Sequence, residues 1–533
     1  MIRKISFALI LLLAAACAKV QTAQSPLATS STHQTQPPPH ETQSATGHTP
    51  EGPPTHNAAT PLPNAAFTPS SIVQIQVDGT RRYQIFQGFG ASLDFLDEEG
   101  LYNRHDTTQP VKTTATLEQR QGIARILYQE LGIARTRSVL TQFEPQNYNA
   151  DPFTFNPDRF DWTLVDPEAA FFRFGQPYGL QTPWLSFGVD STADEAWLRL
   201  PGSNCALNPA MIDEEVEWIL AGIMRFRDDG VTIPYAAINN EPDLCPPGYK
   251  IEIADMMTII KRLGARLRAE GLQTKIVVSD GWLPENALLY MQAALSDPEA
   301  RQYVGALAYH SYDAYSDVNV LATLADTGES PHAAVEVRTK IRDLAVQYNL
   351  PVWMTEICYC TQTPPYSDFD LIRFRLGHLY DELTISNIEA YDGMNTVFID
   401  RPGIPDQFIH IYFQPDGALS RYEISTYGYV IGQFSRFITP GSVRLDAASN
   451  NPRVRVVAFE RPDGRLIIVA LNNNPFAVQV NLTISGLGNA PSALSVLSSR
   501  EGALWQSDAD ITVSAGVATL VLSPLSVTTY LGR

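Results

Sequence analysis

The chain has 533 residues, a formal net charge of −19, 44% hydrophobic residues and five cysteines. That length exceeds one ordinary core, so two folded units plus non-globular sequence are expected. The acidic balance, with no Lys/Arg stripe, excludes nucleic acid and anionic membrane surfaces as natural partners, because phosphate binding is driven by basic clusters.

Met1-Ile-Arg-Lys4, an apolar run to Leu13 and the small residues Ala14-Ala15-Ala16 read as an export signal over 1–17, too short to be a stable transmembrane helix. Cys17 directly after the small residues resembles a bacterial lipobox, which implies lipidation at Cys17, although Ala14 stands where leucine is commoner. Plain secretion, with cleavage before an unrelated cysteine, is the alternative. The expectation is therefore an exported protein, held at the cell surface through lipid at Cys17 or released.

Residues 18–69 are rich in Thr, Gln, Pro, Ser, His and Ala, and cannot bury a core; a disordered tether is expected. His33, His40, His48 and His56 recur in it at near-regular spacing. A metal-binding tract and chance in a polar linker are both readings of that spacing, and the simpler one is chance. No metal or cofactor is expected.

From Phe86 the pattern alternates between strand and helix. Strand candidates fall near 86–95, 133–140, 181–187, 232–239, 274–280, 304–310, 351–356 and 390–399. Helical spacing of apolar residues appears over Leu117–Leu131, Ile212–Asp228, Ile251–Glu270, Ala333–Tyr348 and Phe369–Leu383. Eight such units predict an α/β fold, a (β/α)8 TIM barrel over 86–433 with its active site at the C-terminal strand ends.

After about Phe434 short strands and turn signals replace the helical period, predicting an antiparallel β-sandwich over 434–533. Residues 70–85 carry two strand-like runs, Ile72–Val77 and Tyr83–Phe86, which are expected to join that sandwich across the chain. A structural buttress is the expected role of the sandwich, ahead of a glycan-binding module.

Past Cys17, the cysteines are Cys205, Cys245, Cys358 and Cys360, an even number in an oxidising compartment. Two disulfides, with three possible connectivities, are permitted, and free buried thiols are the other reading; a four-cysteine zinc site is disfavoured because Cys-x-Cys lacks the usual Cys-x-x-Cys knuckle. Cys245 and Cys358 lie just past two glutamates of special interest.

Glu241 closes Ile233-Pro-Tyr-Ala-Ala-Ile-Asn-Asn-Glu, and Glu356 closes Leu350-Pro-Val-Trp-Met-Thr-Glu. A carboxylate just past a buried strand sits on the rim of a barrel, and two such rims can flank a glycosidic bond. Their separation of about 115 residues leaves room for three strand-helix repeats, which places them at strands four and seven. Pro242 is expected to keep the Glu241 backbone extended.

Around these glutamates the motifs resemble glycoside hydrolase family 30, from about residue 72 to the end. Phe86-Gln-Gly-Phe-Gly-Ala-Ser92 is similar to its first strand, and Thr182-Pro-Trp184 with Trp197 to its third. His310-Ser-Tyr312 and Thr355-Glu-Ile-Cys358 are similar to its sixth and seventh. Gly428-Tyr-Val-Ile-Gly-Gln-Phe-Ser-Arg-Phe-Ile-Thr-Pro-Gly441 resembles the segment joining barrel to sandwich.

The resemblance implies a retaining β-glycosidase acting on a carbohydrate, as a monomer. Glu241 would be the acid/base, Glu356 the nucleophile, Asn240 a partner of the sugar 2-hydroxyl, Tyr312 the orienting phenol, and Arg135 or Arg137 the arginine near the nucleophile. Trp184 and His310 would complete the substrate site. Duller readings stand beside these: the two arginines as a polar barrel layer, Trp184 as core packing. Tyr391-Asp-Gly-Met-Asn-Thr-Val-Phe398 lacks the strand-eight tryptophan of members acting on glucosides, and Arg401 is either a reader of carboxylate side groups or a surface residue. An endo-acting xylanase, glucanase or galactanase, and a non-catalytic glycan-binding protein, are the alternatives.

Overall fold

A computed structural model describes residues 72–92, 115–140, 165–188, 198–203, 205–245, 248–359, 366–399 and 405–533, with isolated positions between them. The export signal with Cys17, the tether, Trp197, Cys360 and Arg401 lie outside the described residues.

Eight parallel strands close into a barrel: β1 (Gly88–Ser92), β2 (Arg135–Leu140), β3 (Thr182–Phe187), β4 (Tyr235–Ala237), β5 (Lys275–Gly281), β6 (Val304–His310), β7 (Val352–Glu356) and β8 (Ala390–Gly393). Each strand pairs in parallel with its sequence neighbours, and β8 closes onto β1 through Ala390↔Gly88 to Gly393↔Ala91. The predicted eighth strand divides in two. Residues Ala390–Gly393 stay in the barrel, while Asn395–Ile399 leaves it to pair with Gln407–Phe413 in a small three-stranded sheet.

Helices cover the barrel where apolar periodicity predicts them, among them Ile212–Asp228, Ile253–Ala269, His332–Tyr348 and Asp368–Asp381. The first of these carries Asp213, Glu214 and Glu215 in its opening turn and Arg225 and Arg227 in its last, the order that suits the helix dipole. Leu117–Ala124 starts in a capping box between Thr116 and Gln119, then widens into π-type turns over Arg125–Glu130.

The barrel interior is filled, not open. Trp184 and Trp353 pack with their centroids 5.8 Å apart among Ala237, Val277, Ala306, Ala308 and Ala390, so two large rings are accommodated by small residues on the other strands. Arg135 lies 4.1 Å over the Trp353 ring and pairs with Asp392 at 3.1 Å and 3.2 Å. A side chain at position 90 would stand 2.2 Å from Asp392 Oδ1 and 2.7 Å from Arg135 Cβ, which is why Gly90 occupies it.

The C-terminal unit is a nine-stranded sheet, antiparallel except at one pairing. Apolar residues from strands throughout that order, from Leu494 and Tyr530 to Leu482 and Leu520, meet in one core, so the sheet closes over itself as a sandwich. The strand Val73–Phe86 lies inside this order, antiparallel to Ser442–Ser449 and parallel to Val478–Ser485. Arg455 of the sandwich reaches the barrel, donating to Asp381 at 2.7 Å and to the Gly377 carbonyl at 3.2 Å, both buried.

Candidate active site

Glu356 is the last residue of β7, and Glu241 follows β4 on the same rim. One oxygen of each and a ring nitrogen of His310 all lie within 4.8 Å of one another. The Glu241 backbone is not extended, contrary to the expectation from Pro242. The strand stops at Ala237, and Glu241 is left-handed with φ 60°, a conformation that costs about 1–3 kcal/mol in a non-glycine residue. Its main-chain N–H is pinned to the Asp280 carbonyl at 2.9 Å, and its own carbonyl accepts from Leu244 at 2.9 Å. Those two bonds hold the turn that brings the carboxyl group inward.

Each glutamate has its own set of partners. Glu356 Oε2 accepts from Arg137 at 2.5 Å and Oε1 from the Tyr312 phenol at 2.8 Å. Arg137 also donates to Asn240 Oδ1, to Asp280 Oδ2 at 3.0 Å and to Ser92 at 3.3 Å. Glu241 Oε1 lies 2.8 Å from His310 Nδ1, and His310 Nε2 lies 3.2 Å from Asp280 Oδ1. Between the charges of Glu356 and Asp280, the imidazole is held as a cation: burial opposes its charge, but those two carboxylates and the hydrogen bonds to Asp280 and Glu241 raise its pKa to about 10.

These surroundings drive the two carboxyl groups apart. Burial raises Glu241, with the nearby Glu356 charge adding to it against the opposing His310 contact, and its pKa reaches about 7. Burial also raises Glu356, yet His310, Arg137 and Tyr312 together overcome that and hold it below the ordinary carboxylate range. One carboxyl thus keeps its proton up to a pH of about 7 beside another that is ionised, which is the division of labour between acid and nucleophile. The separation suits a retaining pair, whose carboxyl groups stand about 5–5.5 Å apart, and leaves no room for the intervening water of an inverting one. The same three side chains converge closely enough to ligate a divalent cation. The Arg137 guanidinium against Glu356 already supplies the countercharge, so the chemistry of the set is that of a carboxyl pair.

Of the other predicted residues, Asn240, Arg137, His310 and Tyr312 come together at the pair. Trp184 and Arg135 do not. Trp184 is fully buried in the barrel layer beneath, with its indole N–H donated to Asp392 at 3.1 Å, so it is packing and not a sugar platform. Arg135 is equally buried and committed to Asp392 and Trp353, which leaves Arg137 as the arginine beside Glu356. Cys205 and Cys245 form a disulfide with Cα atoms 5.4 Å apart, tying the segment after Glu241 to the loop before helix Ile212–Asp228. Cys358 is disulfide-bonded as well, and its sulfur lies 3.5 Å from the Tyr312 phenol. Asp243 accepts from the Trp282 and Leu283 amides at 2.7 Å and 3.3 Å, fastening the turn after Glu241 to the end of β5.

Sequence reasoning missed Asp280, Ser186 and Thr355. Asp280 is fully buried and accepts from Ser186 and Thr355 at 2.7 Å each, as well as from Arg137 and His310. A signal for it was present: like the two glutamates, it ends an apolar strand.

A barrel of eight parallel strands with one raised and one lowered carboxyl at the rim, close enough for direct displacement, defines a retaining glycoside hydrolase. Residues 441–530 match the model of the glycosyl hydrolase family 30 β-sandwich domain. The chain is 23% identical over 442 residues to a putative glucosylceramidase of Caenorhabditis elegans, covering 77% of this chain and 78% of that one. It is 25% identical over 304 residues to a glucuronoxylanase of Bacillus subtilis, covering 53% and 65%. A family 30 endoxylanase from Clostridium papyrosolvens shares the fold at a TM-score of 0.63 and 19% identity, over 86% of this chain and all of that one. The sandwich is thus matched to glycoside hydrolase family 30, and the relatives that extend over the barrel support the same family for the chain.

Proposed function

We propose that the protein hydrolyses β-linked glycans or glycoconjugates by double displacement, with Glu356 as nucleophile and Glu241 as general acid/base. The observation that carries this is the buried pair itself, converging within 4.8 Å, with Glu356 held by Arg137 and Tyr312 and Glu241 by His310, surroundings that displace the two pKa values in opposite directions. In the first step the Glu356 carboxylate forms a bond to the anomeric carbon while the bond to the leaving oxygen breaks and that oxygen takes the Glu241 proton. Esterification removes the Glu356 charge, so Glu241 becomes a carboxylate more easily and accepts a proton from water. That water attacks the anomeric carbon and releases Glu356. Asn240, beside Glu241 and held by Arg137, would bond the sugar 2-hydroxyl.

Glu241→Ala and Glu356→Ala variants, assayed on aryl β-glycosides with azide present, test the assignment. Azide rescue should yield the β-glycosyl azide from the first variant and the α-anomer from the second; wild-type hydrolysis by either variant overturns it. A second reading, endo-action on xylan or another β-glycan, is motivated by the xylanases among the relatives. Product chain length from a panel of β-glycans decides between them.

We further infer that the chain is exported and anchored as a monomer through lipid at Cys17, on the strength of the charged start, the apolar run and the small residues before that cysteine. No helix among the described residues is long and apolar enough to cross a membrane. Incorporation of labelled palmitate that Cys17→Ser abolishes is the expected result; release of the unaltered chain into the medium overturns the anchor.

A further inference from the structure

A third carboxylate underlies the reacting pair. Asp280, in β5, accepts four hydrogen bonds on its two oxygens: Arg137 at 3.0 Å and Ser186 at 2.7 Å on Oδ2, His310 at 3.2 Å and Thr355 at 2.7 Å on Oδ1. Two of these donors are cations, and each continues to one reacting glutamate, Arg137 to Glu356 at 2.5 Å and His310 to Glu241 at 2.8 Å. The Asp280 carbonyl also accepts the Glu241 main-chain N–H at 2.9 Å. With φ 58°, Asp280 itself holds the left-handed conformation that points carbonyl and carboxylate into the same site.

The charges balance only with Asp280 ionised. Arg137 and His310 contribute two positive charges, Asp280 and Glu356 two negative ones, and a protonated Glu241 none. Burial opposes the charge of Asp280, but Arg137 and His310 bring its pKa below the ordinary carboxylate range. Without Asp280 the buried imidazole would lose one of its two countercharges, and desolvation would favour its neutral form. A neutral imidazole no longer has to present Nδ1–H to Glu241, and the guanidinium no longer has a fixed second anchor beside Glu356.

We propose that Asp280 is the positioning residue of the reaction: through His310 it keeps Glu241 oriented with its acid proton on Oε2, and through Arg137 it keeps Glu356 ionised and in place. It touches no substrate. The inference rests on Glu241 and Glu356 being the reacting pair, and it makes a claim about His310 that holds whether or not a given sugar is turned over.

The test uses the full chain labelled with 15N-histidine, with His310 assigned by comparison with His310→Gln, and the p-nitrophenyl β-glycoside that the wild type hydrolyses best. In the wild type both His310 nitrogens should remain protonated through pH 8; in Asp280→Asn the ring should titrate between pH 5 and 8, and kcat should fall about 100-fold with KM within about 3-fold. A wild-type His310 that is neutral at pH 7 overturns the proposal, as does an Asn variant that keeps either its imidazolium or its kcat. If Asp280→Asn does not fold, the wild-type histidine spectrum decides alone, imidazolium supporting and imidazole overturning. Should no aryl glycoside be hydrolysed, the functional reading fails, while the histidine spectra still decide this inference.

Discussion

Tyr312 donates its phenol proton to Glu356 Oε1 over 2.8 Å, while Arg137 holds Oε2. A hydrogen bond to a charged acceptor contributes about 1.5–3 kcal/mol, so Tyr312→Phe should lower kcat/KM by roughly 10- to 100-fold. The bond lowers the Glu356 pKa, so its loss should also move the acidic limb of the kcat/KM profile to higher pH. A steady-state pH series on the purified variant checks both.

His310 is a cation shared by both glutamates, 2.8 Å from one and 3.9 Å from the other. The wild-type profile should fall on its alkaline side as Glu241, with a pKa of about 7, loses its proton. Removing the cation in His310→Gln disfavours both carboxylates, so both limbs should move to higher pH together. Movement of one limb alone would contradict the shared role.

Glu215, on the helix Ile212–Asp228, is fully buried with the Tyr249 hydroxyl donating to it at 2.7 Å. Burial raises its pKa to about 8 from an ordinary 4.5, so the folded chain binds this proton more tightly than the unfolded chain. The stability it contributes is complete below pH 4.5 and is lost as pH rises to 8. Glu215→Gln has no such dependence, so thermal melts from pH 5 to 8 should show the variant gaining steadily on the wild type.

Trp184 separates the two roles a buried aromatic ring can have. As packing, its truncation to Ala should cost about 3–5 kcal/mol of stability while KM changes by less than about 3-fold at a temperature where the variant is folded. A large rise in KM with little thermal effect would restore the sugar-platform role. Denaturant unfolding and steady-state kinetics on the same sample decide it.

The Cys205–Cys245 bridge closes a segment with a sequence separation of 40. Chain entropy assigns such a crosslink about 4 kcal/mol, so Cys205→Ser/Cys245→Ser should unfold at markedly lower urea concentration. Because Cys245 follows Glu241 so closely, kcat should fall in the variant even where it remains folded.

Much of this was legible in the sequence because a strand's apolar run and the carboxylate that ends it are local facts. The runs ending at Glu241 and Glu356 lie on β4 and β7, and Asp280 ends the run at 274–280 by the same rule. What the sequence does not carry is depth. Arg135 and Arg137 share one strand face, yet two residues along a strand are about 6.6 Å apart, enough to put one at the rim and the other in the packed layer beneath. The same holds for Trp184: alternation directs it into the barrel without saying how far below the rim it lies. The left-handed turn at Glu241 depends on the Asp280 carbonyl, a partner no local pattern identifies.

The strand Val73–Phe86 has a consequence for how the molecule is made and cut. It is synthesised before any of the barrel, but both strands that flank it in the sandwich come after the barrel is complete. Until then its row of Val73, Ile75 and Val77 has no home, and the sandwich has a gap one strand wide. A fragment that begins at the end of the barrel would carry that gap permanently, with two bare strand edges facing each other and inviting a strand from another molecule. The C-terminal unit is therefore not a separable module: it is the clasp in which the two ends of the folded chain are joined.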